Sequence, residues 1–209
     1  MDDGTAISIL RFYQREDEKW AKWLQDRLRW YKLPSKLCRQ ITRLPKKVWP
    51  VFRDNTDLDS GRLEENIRHE LERSHYLIVI CSPEAARSPW VGKEVKYFAT
   101  LHGADKIIPF VVSGIPYSND IETECIHEQI KAISQEELLA INVREEGIGS
   151  FAMKKKRAFI RVVARLLDIK FNTLWQPYER ILRIRKWSTG IGVVFILIRF
   201  IHLVGLLPD

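Results

Sequence analysis

The chain has 209 residues, 45% hydrophobic and 29% charged, a composition that excludes a disordered tail and suits one globular domain with some length to spare. Three widely spaced cysteines (Cys38, Cys81, Cys125) make neither a disulfide framework nor a C-x-x-C pair, and the five histidines stand alone, so a reducing compartment and no metal site are expected. The net charge of +7 is local: residues 1–153 carry 22 Lys and Arg against 24 Asp and Glu, while residues 154–186 carry 11 against 2. A polyanion-binding domain would spread that charge, so no nucleic-acid partner is expected.

The acidic opening Met1-Asp2-Asp3-Gly4 lacks an apolar h-region, which predicts no signal peptide. Residues 6–13, with Ile7, Ile9 and Leu10, predict a strand, and a polar turn follows at 14–18. Trp20, Trp23, Leu24, Leu28 and Tyr31 recur at helical spacing up to Pro34, giving a helix with an aromatic-rich inner face. Residues 48–54 predict a short second strand, with Pro50 near its start or on an edge. Leu63, Ile67 and Leu71 mark a helix after the turn Asp59-Ser60-Gly61.

Tyr76-Leu-Ile-Val-Ile-Cys81 is a continuous apolar run, as expected of a central parallel strand covered on both faces. Ser88 as N-cap and Pro89 at the first helical position start a helix through about Leu101. Residues 106–112 form another apolar run. A loop, a short helix near 126–133 and an edge strand at 138–143 follow, and a helix over 158–167 closes the domain with Phe159, Val162, Val163, Leu166 and Leu167 inward. Strands alternating with helices predict an α/β fold, a parallel sheet with helices on both faces.

Residues 187–207 hold thirteen Ile, Leu, Val and Phe, about the length needed to cross a bilayer core. A central Arg199 costs about 2.5–3.5 kcal/mol, against roughly −4 to −8 kcal/mol from the apolar residues. Arg180, Arg183, Arg185 and Lys186 precede the run, which by the positive-inside rule holds the preceding domain in the cytoplasm. The expectation is a single-pass C-terminal anchor in the lipid bilayer; the alternative is a hydrophobic helix buried in a soluble domain or oligomer interface, where Arg199 and His202 would face a polar interior. The expected organisation is a domain at 5–170, a basic juxtamembrane linker at 171–186 and a transmembrane helix at 187–207.

In open parallel sheets ligands bind beyond the carboxyl ends of the strands. That rule selects Phe12, Tyr13 and Gln14 after the first strand, Arg53 and Asp54 after the second, and Ser82 after the third. The phosphate-cradling glycine patterns and the G-x-S-x-G elbow are absent. The acidic run from Asp54 to Gly61 fails the calcium-loop test, because the sixth position from Asp54 is Asp59 rather than Gly. Trp90-Val-Gly-Lys-Glu94 is sharper: residues four apart share a helix face, so an aromatic plate and a carboxylate stand together near a helix start, able to stack a flat ring and hold ribose hydroxyls; the alternative for this common spacing is a core tryptophan and a solvated helix glutamate.

Ile9-Leu-Arg-Phe-Tyr13-Gln-Arg-Glu-Asp17-Glu-Lys-Trp20, Val51-Phe-Arg53-Asp54 with Leu58 and Gly61, Leu77-Ile-Val-Ile-Cys-Ser82-Pro83 and Ser88-Pro-Trp90-Val-Gly-Lys-Glu94 together resemble a bacterial TIR (Toll/interleukin-1 receptor) domain. Thr123-Glu-Cys125 and Phe171-Asn-Thr-Leu174 extend the likeness. The resemblance implies a flavodoxin-like fold and, in many bacterial members, cleavage of NAD+ at the nicotinamide glycosidic bond. It places Glu94 on the catalytic glutamate and Arg53 and Asp54 at the loop that lines the nucleotide pocket and joins neighbouring TIR domains. Trp90, Phe12 and Ser82 fall at pocket positions. The family's first-strand pattern F-I-S-Y-S-x-x-D reads Leu10-Arg-Phe12-Tyr13-Gln14-Arg-Glu-Asp17 here, with both serines replaced.

NAD+ is then substrate rather than cofactor, and the implied role is NAD+ depletion in anti-phage defence, triggered by TIR self-association, with other TIR or defence-operon proteins as further partners. Two alternatives share the same residues: a non-catalytic TIR adaptor at the membrane, and synthesis of a cyclic ADP-ribose signal.

Overall fold

The structure is a computed structural model that describes residues 8–11, 15–41, 51–53, 60–133, 140–144, 149–177 and 179. By internal contacts the chain divides into a unit of residues 1–168 and a second of residues 169–209. In the first, five parallel strands form one sheet: β1 (Ser8–Arg11), β2 (Val51–Arg53), β3 (Tyr76–Cys81), β4 (Ile107–Val111) and β5 (Ile141–Asn142), in the order β2-β1-β3-β4-β5. The helices are α1 (Arg15–Arg29), α2 (Ser35–Gln40), α3 (Ser60–Arg73), α4 (Pro83–Ala86), α5 (Pro89–His102), α6 (Glu128–Ile133) and α7 (Phe151–Leu166). In the second unit residues 171–177 are helical, the Phe171 and Trp175 rings stack at 5.6 Å, and the Trp175 indole donates to Glu179 Oε1 at 2.6 Å.

The period of two along a strand divides the core into two layers. Leu77, Val79 and Cys81 of β3 pack with Leu71 of α3, Ala85 of α4, Val91, Val95 and Phe98 of α5, and Ile126 and Ile130. Ile78 and Ile80 point the other way, as does Phe110, whose ring meets Trp20 of α1 edge-on at 6.4 Å. On that side Trp23 and Tyr31 each meet Phe159 of α7 edge-on, at 6.2 and 5.3 Å. Burial drives both thiols of the first layer away from the thiolate: Cys81 lies well above the ordinary range and Cys125 is pushed up to about 12.

Pro109 sits inside β4, where a missing N–H is normally excluded. Val112 N–H bonds the Cys81 carbonyl of β3, so even-numbered residues of β4 donate toward β3 and odd-numbered ones the other way. There, among the described residues, β5 begins opposite Phe110, so the Pro109 nitrogen meets no described ladder partner. Pro50 likewise precedes β2, which is an edge strand as its position suggested.

Several expected boundaries change. α3 begins at Ser60, so Ser60 and Gly61 belong to its first turn rather than to a preceding turn; first-turn N–H groups need no intrahelical acceptor, so these weak helix formers are tolerated there. α7 begins at Phe151, two turns before residue 158, with the Ser150 hydroxyl accepting from Met153 N–H at 3.4 Å. Leu167 is its C-cap and only half-buried. α1 ends at Arg29, so Tyr31 packs inward from beyond the helix. Trp20 and Trp23 are half-buried, and the Lys155 ammonium lies over their rings at 4.4 and 4.2 Å. The short helices α2 and α4 were not expected.

Among the described residues no helix is long and apolar enough to cross a membrane. The candidate span at 187–207 and the basic residues Arg180, Arg183, Arg185 and Lys186 lie outside the described residues.

Candidate functional site

After β1 the chain crosses to β2 on one side and returns to β3 on the other, so the sheet's switch point lies between the carboxyl ends of β1 and β3. Arg53, the last residue of β2, is level with Leu10, and Leu10 with Ile78. The positions chosen from the sequence therefore follow strand ends along one edge of the sheet. Phe12, Tyr13, Gln14 and Asp54 lie outside the described residues, and of Arg53 only the backbone position is described.

Ser82 follows β3 and is 1% exposed. Its hydroxyl donates to Asp17 Oδ2 at 2.7 Å and accepts from Ala85 N–H at 3.2 Å, capping α4. The side chain expected to meet substrate is thus engaged within the fold, tying the first turn of α1 to the start of α4 beside the switch point. Asp17, buried in turn, was not singled out as a site residue; the signal for it was its place as the terminal Asp of the first-strand motif. Ser82→Ala should cost roughly 1–3 kcal/mol by stripping a hydrogen bond from a buried carboxylate and a cap from α4, measurable by denaturant titration.

α5 carries the other two residues. Trp90 stands in its first turn, 50% exposed, and Glu94 in its second, half-buried. Val91, Gly92, Val95 and Phe98 are buried on the inner face. Glu94 lies on the flank toward α3, as Tyr97 does: the Tyr97 hydroxyl donates to Glu72 Oε1 at 2.6 Å and Arg68 lies over its ring at 5.6 Å. The Lys93 ammonium sits 4.6 Å from the centre of the Trp90 ring, so a flat cationic ring stacking on that face would displace it. Partial burial lowers the local dielectric and raises the worth of the Glu94 charge toward any cation developing beside it.

The opposite flank of α5 faces α6. A groove of about 680 Å³ runs there, lined by Gly92, Lys93 and Lys96 with Asn119, His127 and Gln129; it includes neither Trp90 nor Glu94. Ser88 occupies the N-cap position as expected, but its hydroxyl makes no capping bond. His127 Nδ1 accepts from Gln129 N–H at 3.0 Å. Desolvation holds the His127 pKa below the ordinary value, against smaller upward pulls from Glu128 and a bond to the Ser88 backbone. The folded state therefore binds fewer protons here than the unfolded chain, so its contribution is full above the ordinary histidine value of about 6.5 and is lost as pH falls from there toward the folded value. Melting temperatures taken from pH 7.5 to 5.5 should fall, and fall less for His127→Asn.

Among the described residues no group of three His, Cys, Asp or Glu could hold a metal ion. A family model for the TIR domain matches residues 12–146, which takes in the switch point, α3, α5 and α6. The chain belongs to the TIR-domain family. The NAD(+) hydrolase ApTIR of Actinoplanes sp. is 42% identical to it over 65 residues, which is 31% of this chain and 9% of that protein. The chain thus spans under a tenth of the relative's length. For a TIR domain, the five-stranded parallel sheet and the flanking helices described above are the frame on which α5 presents Trp90 and Glu94.

Proposed function

We propose that this TIR domain cleaves NAD+ at the nicotinamide glycosidic bond, with Glu94 as the catalytic anion and Trp90, Tyr13, Phe12, Arg53 and Asp54 forming the pocket. The observation that carries the reading is the placement of an aromatic plate and a half-buried carboxylate one turn apart on α5, in a chain similar to an NAD(+) hydrolase over 65 residues. One carboxylate suffices for the chemistry. An ordinary glycoside needs a second acid to protonate its leaving oxygen, whereas nicotinamide leaves NAD+ from a pyridinium already carrying positive charge. As the C–N bond breaks, its electron pair neutralises the ring and the positive charge moves to the ribose. The Glu94 carboxylate stabilises that oxocarbenium ion where it develops. Water then adds at the anomeric carbon and gives up a proton, yielding ADP-ribose. The engagement of Ser82 with Asp17 leaves Ser82 the role of shaping the pocket rather than touching the ribose.

TIR domains commonly self-associate, and the reading includes activation by that association at a membrane, with residues 187–207 as the span, the TIR domain on the cytoplasmic side and NAD+ depletion in defence as the outcome. The test is NAD+ consumption by the full-length chain reconstituted into vesicles at increasing surface density, with the product identified by chromatography. Consumption rising more steeply than in proportion to density, with ADP-ribose as product, is expected. A cyclic product would replace hydrolysis by synthesis, and intact NAD+ at every density would leave the adaptor reading.

A further inference from the structure

The first turn of α5 holds itself weakly. Ser88 gives it no side-chain cap, Pro89 contributes no N–H, and the Gly92 N–H reaches the Ser88 carbonyl only at 3.5 Å. Yet this turn carries Trp90 and leads directly into Glu94, and a carboxylate aimed at a developing charge loses its effect with displacements of about an ångström. Something outside the helix has to fix it.

His127 is placed to do so. It stands immediately before α6, 7% exposed. Because Nδ1 accepts the Gln129 N–H, the neutral ring carries its proton on Nε2, an atom that lies against Gly92; the Ser88 carbonyl, which the Gly92 N–H reaches only at 3.5 Å, has the capacity to accept it. The ring lies against Gly92 so closely that a Cβ there would fall 2.6 Å from Cε1 and 3.1 Å from Nε2. The absent side chain at position 92 is what admits the ring, which explains a glycine in the middle of the W-x-x-x-E segment at a position that otherwise favours alanine.

We propose that His127 is a positioning residue for the α5 site: by bridging the Gln129 amide of α6 to the Ser88 carbonyl across Gly92, it fixes the first turn of α5 and so the placement of Trp90 and Glu94. The proposal rests on the reading of α5 as the NAD+-cleaving site, and two readouts separate the failure of one from the failure of the other. His127→Gln offers an amide N–H near the Nε2 position and keeps the reach to Ser88. His127→Asn offers a carbonyl oxygen near Nδ1, keeping the cap on α6 but losing Ser88.

In the full-length protein, His127→Asn should lower kcat for nicotinamide release by about tenfold or more while KM moves less than about threefold, the pattern of a lost transition-state interaction. Amide exchange at residues 90–94 should quicken by about tenfold, as for a turn opened locally. Gly92→Ala, which pushes on the ring from the other side, should do the same, and His127→Gln should restore both readouts to within about threefold of wild type, as a conservative rescue does. Unchanged exchange at 90–94 in His127→Asn would overturn the proposal whether or not the protein is active. Equal loss in the Gln and Asn variants would also overturn it, since the histidine would then serve only the packing around α6. A wild type that releases no nicotinamide would defeat the proposed function, while the exchange comparison would still decide whether the clamp exists.

Discussion

Phe98→Ala should destabilise the TIR domain by about 3–5 kcal/mol, the range for removing a buried phenylalanine ring and leaving its cavity. Phe98 is fully buried on α5, among Val91, Val95, Leu71 and the β3 residues Leu77 and Val79. Its ring lies 4.6 Å, centre to centre, from that of His102, which in turn reaches the Leu71 carbonyl of α3 at 3.0 Å. The ring therefore joins the sheet, α5 and the end of α3, and the parallel β3–β4 floor beneath it has little freedom to collapse into the space. A loss of that size is about a fifth or more of the stability of an ordinary domain. Guanidinium titration of the full-length protein, followed by near-ultraviolet circular dichroism, should show the midpoint falling without a change in slope.

Glu94→Gln tests the other side of the same helix. Glutamine keeps the size and the hydrogen-bonding oxygen of the side chain and removes only its charge. In ground-state NAD+ the positive charge rests on the pyridinium ring; in the transition state it has moved to the ribose, which is where a carboxylate contributes and a neutral amide does not. A decrease in kcat of about 10²–10³-fold follows, comparable with removing one preorganised stabilising group, about 3–4 kcal/mol. Because Glu94 lies outside the buried cluster of Val91, Val95 and Phe98, the melting temperature should fall far less than in Phe98→Ala. The two substitutions separate: Phe98→Ala lowers stability first and activity through it, and Glu94→Gln lowers activity far more than stability. Steady-state kinetics alongside thermal melts of both variants checks this.

Elements that declare themselves locally were legible in the sequence. β3 is a continuous apolar run between a polar turn and Ser82-Pro83, and α5 begins where Ser88-Pro89 says it should, although the serine supplies backbone geometry there and no side-chain bond. Elements whose character depends on distant partners were not. The first two turns of α7 include Lys154, Lys155, Lys156 and Arg157, a charge run with no apolar stripe to mark a helix, yet Lys155 lies over Trp20 and Trp23 and all four are only partly exposed. A long cationic side chain can cover aromatic surface in this way while its head stays wet. α2 and α4 span six and four residues, too few for helical periodicity to register.

The site divides in the same manner. The four-residue spacing of Trp90 and Glu94 is a property of one helix and could be read directly. The Ser82–Asp17 bond joins residues 65 apart, and the seat of His127 on Gly92 joins α6 to α5; both are products of the sheet order. Their sequence traces are a terminal aspartate in the first-strand motif and a glycine inside a helix, and neither names its partner.

The central claim is that this TIR domain breaks the bond between nicotinamide and ribose. Its most direct test is the initial rate of free nicotinamide formation when full-length wild-type protein, clustered in vesicles, is given NAD+. Many turnovers per protomer are expected, with one nicotinamide appearing for each ADP-ribose. Release no faster than in protein-free vesicles, at the highest density reached, would contradict it.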